Sequence, residues 1–308
     1  MRIGMIDVDG HHYPNLPLMK LSAWHKRQGD TVKWYNPLLS GHMDIVYKAK
    51  VFSFTPDYGY AIDADQIIQG GTGYHITLQD GKEIWSGEDQ NLPEEIEHIY
   101  PDYSLYGITD QAIGFLSRGC PRQCYFCHVK SKEGIKAYKV ADLDEFWCYQ
   151  KNITIMDPNI LAVPEADDLL WQLASSKALV DINQGLDARL LTPEKIESIK
   201  KIRIKMYHFA WDNPADESKI LPKLQMFSEM VKVRRDNTMV YCLVNFNSTL
   251  DQDLYRIYKI KEMRMQPYVM IYDKAHADPI FRKLQRWCNS PMIFWKTNSF
   301  DEYDRRKG

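Results

Sequence analysis

Residues 113–128 read IGFLSRGCPRQCYFCH. Ile113–Leu116 has the apolar run of a buried strand, and the polar, Gly- and Pro-bearing residues that follow end it in a loop. The loop carries Cys120, Cys124 and Cys127, three of the six cysteines within eight consecutive residues. Three thiols on one short loop can converge on one metal centre. Thiolates are soft ligands that suit zinc and iron–sulfur clusters, and three of them can hold three irons of a cubane while the fourth stays open.

Outward from the loop toward the C-terminus, strand-like and helix-like stretches alternate. Ile113–Leu116, Asn152–Met156, Ala178–Ile182, Lys205–Ala210, Met239–Asn245 and Pro267–Tyr272 read as strands, with helical segments between them. Thr192-Pro193-Glu194 and Asp278-Pro279 each place an N-cap residue before a proline at the first helical position. Six strand–helix units in series predict an α/β fold, a partial (β/α)6 TIM-like barrel with functional residues at the carboxyl ends of its strands. No short-period repeat or low-complexity segment interrupts the pattern.

Toward the N-terminus a smaller unit precedes the series. Arg2–Asp9 reads as a buried strand, Leu16–Gln28 as an amphipathic helix stopped at Gly29-Asp30, and Thr31–Tyr35, Ile45–Phe52 and Asp65–Gln69 as further strands. The last leads into the turn Gly70-Gly71-Thr72-Gly73. The order predicts a small, open, Rossmann-like sheet. SFTPDYGYAIDA, residues 53–64, lacks helical periodicity, so no regular crossover helix is expected there, and His75–Trp85 alternates around Asp80-Gly81 as a hairpin. Residues 88–110 read as a short helix and a connector, which divides the chain into a domain 1–105 and a domain 106–308.

At 308 residues, 44% apolar and 26% charged with a net charge of −2, the chain has the composition of an ordinary globular protein and no overall basic field for nucleic acid. The opening MRIGMIDVDG is too short and too acidic for a signal peptide, and no apolar stretch reaches membrane-spanning length. The expectation is a cytoplasmic protein without membrane partners, whose cysteines serve as thiols or metal ligands rather than disulfides.

The C-x3-C-x2-C spacing, with an aromatic just before the last cysteine, resembles the signature of the radical S-adenosylmethionine superfamily. SRGCPRQCYFC, residues 117–127, is especially similar to the subgroup with an N-terminal cobalamin-binding fold. The resemblance implies that Cys120, Cys124 and Cys127 bind a [4Fe–4S] cluster and that S-adenosylmethionine chelates the open iron. Electron transfer then yields a 5′-deoxyadenosyl radical, so the cofactor carries the hard chemistry. It also implies that Phe126 lies against the adenine. The partners implied are an electron donor such as flavodoxin or ferredoxin, and a substrate that is a small molecule, a peptide or a nucleotide.

Other readings of the loop are zinc held by the three cysteines with His128, and haem attachment at the C-x-x-C-H of Cys124 to His128. Three unligated core thiols are a third, at odds with a loop that contains Pro and Arg. The competing class of function is a non-enzymatic iron–sulfur or zinc module that braces an interaction surface.

The predicted strand ends supply further candidates. Asp157-Pro158-Asn159 stands where many members of the superfamily have a Gly-Gly-Glu that holds the amino group of the cofactor; Asp157 can accept from an ammonium, or belong to a plain turn. In Asn183-Gln184-Gly185-Leu186-Asp187-Ala188-Arg189, Arg189 can clamp a carboxylate while Gln184 or Asp187 holds ribose hydroxyls, or Asp187 and Arg189 can simply fix a loop. Asp212, Asn245, Asn247, Tyr272 and Asp273 are the remaining inward candidates, Asp212, Asn245 and Tyr272 as catalytic groups. Cys148, Cys242 and Cys288 are isolated, and read as small buried residues or surface thiols.

Asp9-Gly10-His11 matches the start of a cobalamin-ligand motif, but Pro14 stands where its glycine belongs, and His11 and His12 read as solvated loop residues. Gly70-Gly71 can admit a bulky ligand or make a turn. The expectation is an open sheet without tight cobalamin binding, and cobalamin-dependent radical methylation is the alternative. No cysteine precedes Cys120 and the later ones are scattered, which excludes a second cluster. Iron analysis of the reconstituted chain is therefore expected to give about four irons, and about eight would overturn the reading.

Overall fold

The computed structural model describes residues 1–79, 82–85, 87 and 91–304. The chain forms two compact units, Met1–Lys136 with Val140–Ile153, and Ala137–Lys139 with Thr154–Gly308.

In the first unit, strands β1 (Arg2–Asp7), β2 (Thr31–Trp34), β3 (Met43–Ala49) and β4 (Ala64–Gly70) form a parallel sheet of order β2-β1-β3-β4. This is the open sheet that the alternating pattern predicts. Helix α1 (Leu16–Arg27) begins where the Asn15 side chain accepts from the Leu18 amide, and its last turn is basic, as the helix dipole favours. Leu18 and Leu21 of α1 pack on Ile3 and Met5 of β1. His25, on the same helix, is buried between Asp30 Oδ2 at 2.7 Å and the Tyr47 hydroxyl at 3.0 Å.

Residues 50–63, between β3 and β4, contain no helix, in agreement with their lack of periodicity. Strands β5 (Ile76–Gln79) and β6 (Lys82–Trp85) pair antiparallel, as the hairpin pattern predicts, while the tip Asp80-Gly81 lies outside the described residues. Helix α2 (Glu94–Glu97), strands β7 (Gln111–Gly114) and β8 (Ser117–Arg118), and the single turn α3 (Val129–Lys132) complete the unit.

Polar groups before and after residue 105 bind each other within this unit. The Tyr103 hydroxyl accepts from the Ile113 amide at 3.0 Å and donates to the Phe146 carbonyl at 2.7 Å, and Gln150 donates to the Tyr100 hydroxyl at 2.6 Å. Such long-range bonds leave no trace in local composition.

The second unit opens with β9 (Tyr138–Lys139) and the later half of β10 (Asn152–Ile155). Then α4 (Ala166–Ser176), β11 (Leu179–Ile182), α5 (Pro193–Lys200), β12 (Tyr207–Ala210), α6 (Glu217–Met230), β13 (Thr238–Val244), α7 (Leu250–Glu262) and β14 (Gln266–Ile271) alternate strictly. Helices α8 (Pro279–Asn289) and α9 (Pro291–Lys296) end it. Both expected helix starts form: Thr192 Oγ1 accepts from the Lys195 amide, and Asp278 Oδ1 from the Ile280 amide.

Strand β10 lies beside β11, and β12-β13-β14 form a parallel ladder with Phe209 opposite Val240 and Val240 opposite Pro267. Between β11 and β12 the described residues form an isolated parallel bridge, Val180 to Ile204, rather than a continuous ladder. The architecture is thus mixed α/β with parallel sheets. Val240, Cys242 and Val244 alternate onto the buried face of β13, where Val244 joins Val269, Ile257, Leu284 and Trp287 in one core. No described helix is long and apolar enough to cross a membrane.

A buried ion pair ties this unit together. Arg256 and Asp253, one turn apart on α7, are 1% and 0% exposed and hydrogen-bonded to each other. Arg256 Nη2 also donates to the Leu243 carbonyl at 2.8 Å and Nη1 to the Trp211 carbonyl, while Asp253 Oδ2 accepts from the Asn245 amide at 3.1 Å. Arg256→Met, which leaves a buried carboxylate unpaired, is expected to cost about 3–5 kcal/mol. Chemical denaturation at neutral pH measures this, and a loss below about 1 kcal/mol, the range of an exposed pair, contradicts it.

Candidate functional site

The cysteine loop belongs to the first unit and begins directly after β8. Gly119 turns it: its φ is +73°, and a Cβ there would stand 2.2 Å from the Lys136 carbonyl oxygen, so only glycine fits. Glu133 braces the turn from the far side, accepting from Arg118 Nη1 at 2.9 Å and from the Gly119 amide at 3.0 Å. The Arg118 guanidinium in turn lies 3.4 Å over the Phe115 ring. The amide of Cys120 donates to Gly134, and that of Cys127 to the carbonyl of Cys124, which folds the C-x-x-C segment back on itself. Cys120, Cys124, Phe126, Cys127 and His128 are all half-buried.

Among the described residues, no three His, Cys, Asp or Glu side chains gather as they would around a single metal ion. A cubane makes a different demand, since each thiolate binds its own iron and the three sulfurs need not meet at a point. The donor set, three thiols on a loop held by backbone bonds at both ends, suits such a group better than a lone zinc ion.

In the second unit the predicted strand-end residues fall into two groups. Asn159 and Asp187 meet, Asn159 Nδ2 donating to Asp187 Oδ2 at 3.2 Å, and Arg189 Nε donates to Asp187 Oδ1 at 2.7 Å. Asp187 also accepts from the Arg189 amide at 3.2 Å, which caps the following turn, and Arg189 Nη1 stands 3.5 Å from Asp216. The Arg189 guanidinium is thus directed at two carboxylates of the chain, so a ligand carboxylate must share it. Gly185, with φ +92°, lets the Leu186 amide reach the His208 carbonyl at 2.7 Å, and the neighbouring Gln184 side chain is exposed. Asp157 and Asn159 are buried, at 0% and 3% exposure.

The second group lies at the ends of β12, β13 and β14. Asp212 accepts from the Leu243 amide at 2.9 Å; desolvation pushes its pKa up to about 6, against the lowering effect of that bond and of Arg256 and Arg189. Asn245 donates to the Tyr272 carbonyl at 3.1 Å, and the Tyr272 ring packs edge-on against Phe246. Asn245, Asn247 and Asp273 have left-handed backbones, a conformation that Asn and Asp tolerate best among non-glycine residues.

Sequence reasoning that favoured strand ends passed over a polar row within the strands. Asp181 on β11 approaches His208 Nε2 on β12 at 3.3 Å, and His208 Nδ1 lies 3.0 Å from the hydroxyl of Tyr241 on β13. The Tyr241 hydroxyl is also 3.1 Å from the Asn183 carbonyl, and its ring stacks on His208 at 5.4 Å. His208 and Lys205 hold the Asp181 carboxyl below its usual range, whereas burial pushes the Tyr241 phenol up to about 12. The only local signal is the i, i+2 spacing of Asp181 and Asn183, which puts them on one strand face.

Of the isolated cysteines, Cys242 and Cys288 are buried, and desolvation pushes both thiols up, Cys242 to about 12; Cys148 is exposed. At the carboxyl edge of the N-terminal sheet the glycines already have an occupant. A Cβ on Gly71, at φ +101°, would stand 2.4 Å from the Lys50 carbonyl oxygen, so the turn serves a close backbone crossing. Asp9 binds the 51–55 loop through the Val51 amide and Thr55 Oγ1, and His11, read as solvated, stacks on Trp34 with ring centroids 4.1 Å apart. These groups are engaged with the chain itself.

The Asp212 shift fixes the sign of a pH effect. Between the ordinary 3.8 and about 6 the folded chain keeps a proton that the unfolded chain has released. The stability this brings is present below the unfolded pKa and lost as pH rises through about 6. Asp212→Asn keeps an acceptor for Leu243 without the titration. The thermal midpoint of the variant, relative to that of the parent chain, is expected to rise between pH 4 and pH 7, and a constant difference contradicts the shift.

Compared with known proteins, the chain matches no family model and no curated protein.

Proposed function

We propose that the chain is a radical S-adenosylmethionine enzyme in which Cys120, Cys124 and Cys127 hold three irons of a [4Fe–4S] cluster. The observation that carries this reading is the C-x3-C-x2-C set on one loop directly after β8, at the head of an α/β series. The finer fold that goes with it is a partial barrel formed by the strand–helix units, with the small parallel sheet as an N-terminal domain. When bound, the cluster supplies one electron to S-adenosylmethionine, whose cleavage provides a hydrogen-abstracting radical.

The residues of the chain do the rest. Gly119 and Glu133 fix the start of the loop, so the three thiols are presented by a preorganised backbone. Phe126 offers a half-buried aromatic face between two of them for an adenine. Within the second unit, Asn159, Asp187 and Arg189 form a preassembled polar set of the kind that binds amino-acid or ribose groups. Asp181, His208 and Tyr241 add a polar row, in which the Tyr241 hydroxyl donates to the Asn183 carbonyl and contacts His208 Nδ1. Asp212, with a pKa of about 6, is a group able to exchange protons near neutrality.

Anaerobic reconstitution with iron and sulfide, followed by reduction with dithionite in the presence of S-adenosylmethionine, tests the proposal. The expected outcome is a four-iron EPR signal and formation of 5′-deoxyadenosine, both lost when the three cysteines are changed to alanine. Full iron retention in that variant removes the cluster assignment. An intact cluster without 5′-deoxyadenosine selects the non-enzymatic module instead.

A further inference from the structure

The parallel sheet of the first unit has two edges of opposite character. Edge strand β2 is four residues long, carries Lys33, and is covered in part by Trp34, whose indole donates to the Leu105 carbonyl at 2.9 Å. Those are the ordinary devices that keep a sheet edge from pairing with another chain. Edge strand β4 has none of them. It runs seven residues, Ala64-Asp-Gln-Ile-Ile-Gln-Gly70, without lysine, arginine or proline. All five interior residues are exposed, Ile67 at 48% and Ile68 at 37%, so among the described residues neither face of the strand is covered. The cause lies in the connection: residues 50–63 lead from β3 to β4 without a helix, so the usual crossover helix is absent from over the edge. On the outer side, alternate amides and carbonyls of β4 point away from β3 and require partners.

We propose that β4 is a self-association edge, at which two copies of this chain pair antiparallel about a two-fold axis through Ile67. The sequence is self-complementary in that register. Ile67 faces Ile67, Gln66 faces Ile68, Asp65 faces Gln69, and Ala64 faces Gly70. Each exposed isoleucine gains an apolar or amide neighbour, and the single carboxylate lies opposite an amide. Parallel in-register pairing would place Asp65 beside Asp65, a like-charge contact that disfavours it. The Asp65 carboxylate is further screened by His42, whose Nε2 lies 3.1 Å away. Such pairing is isologous and closed: it consumes both free edges, joins two four-stranded sheets into one of about eight strands, and leaves the shorter, lysine-bearing β2 edges outermost. The inference stands on the edge alone and does not depend on the chemistry of the cysteine loop.

Light scattering on the full chain, combined with hydrogen exchange over residues 64–70, tests it. The expected result is a species of twice the 36.1 kDa chain mass at about 100 µM, with at least tenfold slower exchange in β4 than in the dilute monomer. The double substitution Ile67→Lys, Ile68→Lys, both on exposed positions, should give a monomer with an unchanged circular dichroism spectrum. A parent chain that is monomeric at that concentration overturns the proposal. So does a dimer whose 64–70 amides gain no protection, or one that survives the double substitution.

Discussion

Arg256 reaches from α7 to the carboxyl ends of β12 and β13, where it donates to the carbonyls of Trp211 and Leu243 while Asp253 balances its charge. The terminal nitrogens of this buried guanidinium are satisfied by carbonyls near the ends of the two strands and by Asp253, while its Nε has no hydrogen-bond partner among the described residues. Asp253 completes the arrangement from the other side by accepting from Asn245, the first residue past β13. One turn of one helix thereby decides where two strands end. The candidate groups Asp212 and Asn245 sit in the two loops that these bonds hold.

The same economy of means appears in the cysteine loop. Glu133 reaches back to Arg118 and Gly119, and the absence of a side chain at Gly119 lets the Lys136 carbonyl come close. The start of the loop is therefore shaped by a close backbone crossing. Gly71 at the edge of the N-terminal sheet follows the same rule, with Lys50 as the crossing strand. In both places glycine marks the approach of the chain's own backbone.

Much of the fold was legible because it rests on local periodicity. All the strands predicted after Ala112 form within a few residues of their expected bounds, from β7 at Gln111–Gly114 to β14 at Gln266–Ile271, since parallel strands buried by helices must be nearly continuous apolar runs. The caps at Thr192 and Asp278 were equally plain, because a side chain bonding two or three residues ahead is a local event. The bonds of Tyr103 to Ile113 and Phe146 were not, since nothing in the composition of the segment reports a bond that spans it.

The sequence by itself determined the alternation of strands and helices, the grouping of three thiols on one loop, and the lack of a crossover helix after β3, all of which follow from residue spacing along a short stretch. Only the tertiary structure decided which side chains meet. His208 and Tyr241 stand 33 residues apart in the chain, and the parallel register of β12 on β13, which pairs His208 with Met239 and Ala210 with Tyr241, brings them together on a diagonal. The directions of Arg189 and Arg256 were likewise undetermined, because a long cation takes its geometry from whichever carboxylates and carbonyls the packing brings within reach. Periodicity is a property of neighbours in sequence, whereas contacts between neighbouring strands are a property of register, and register is fixed only when the whole apolar face is buried at once.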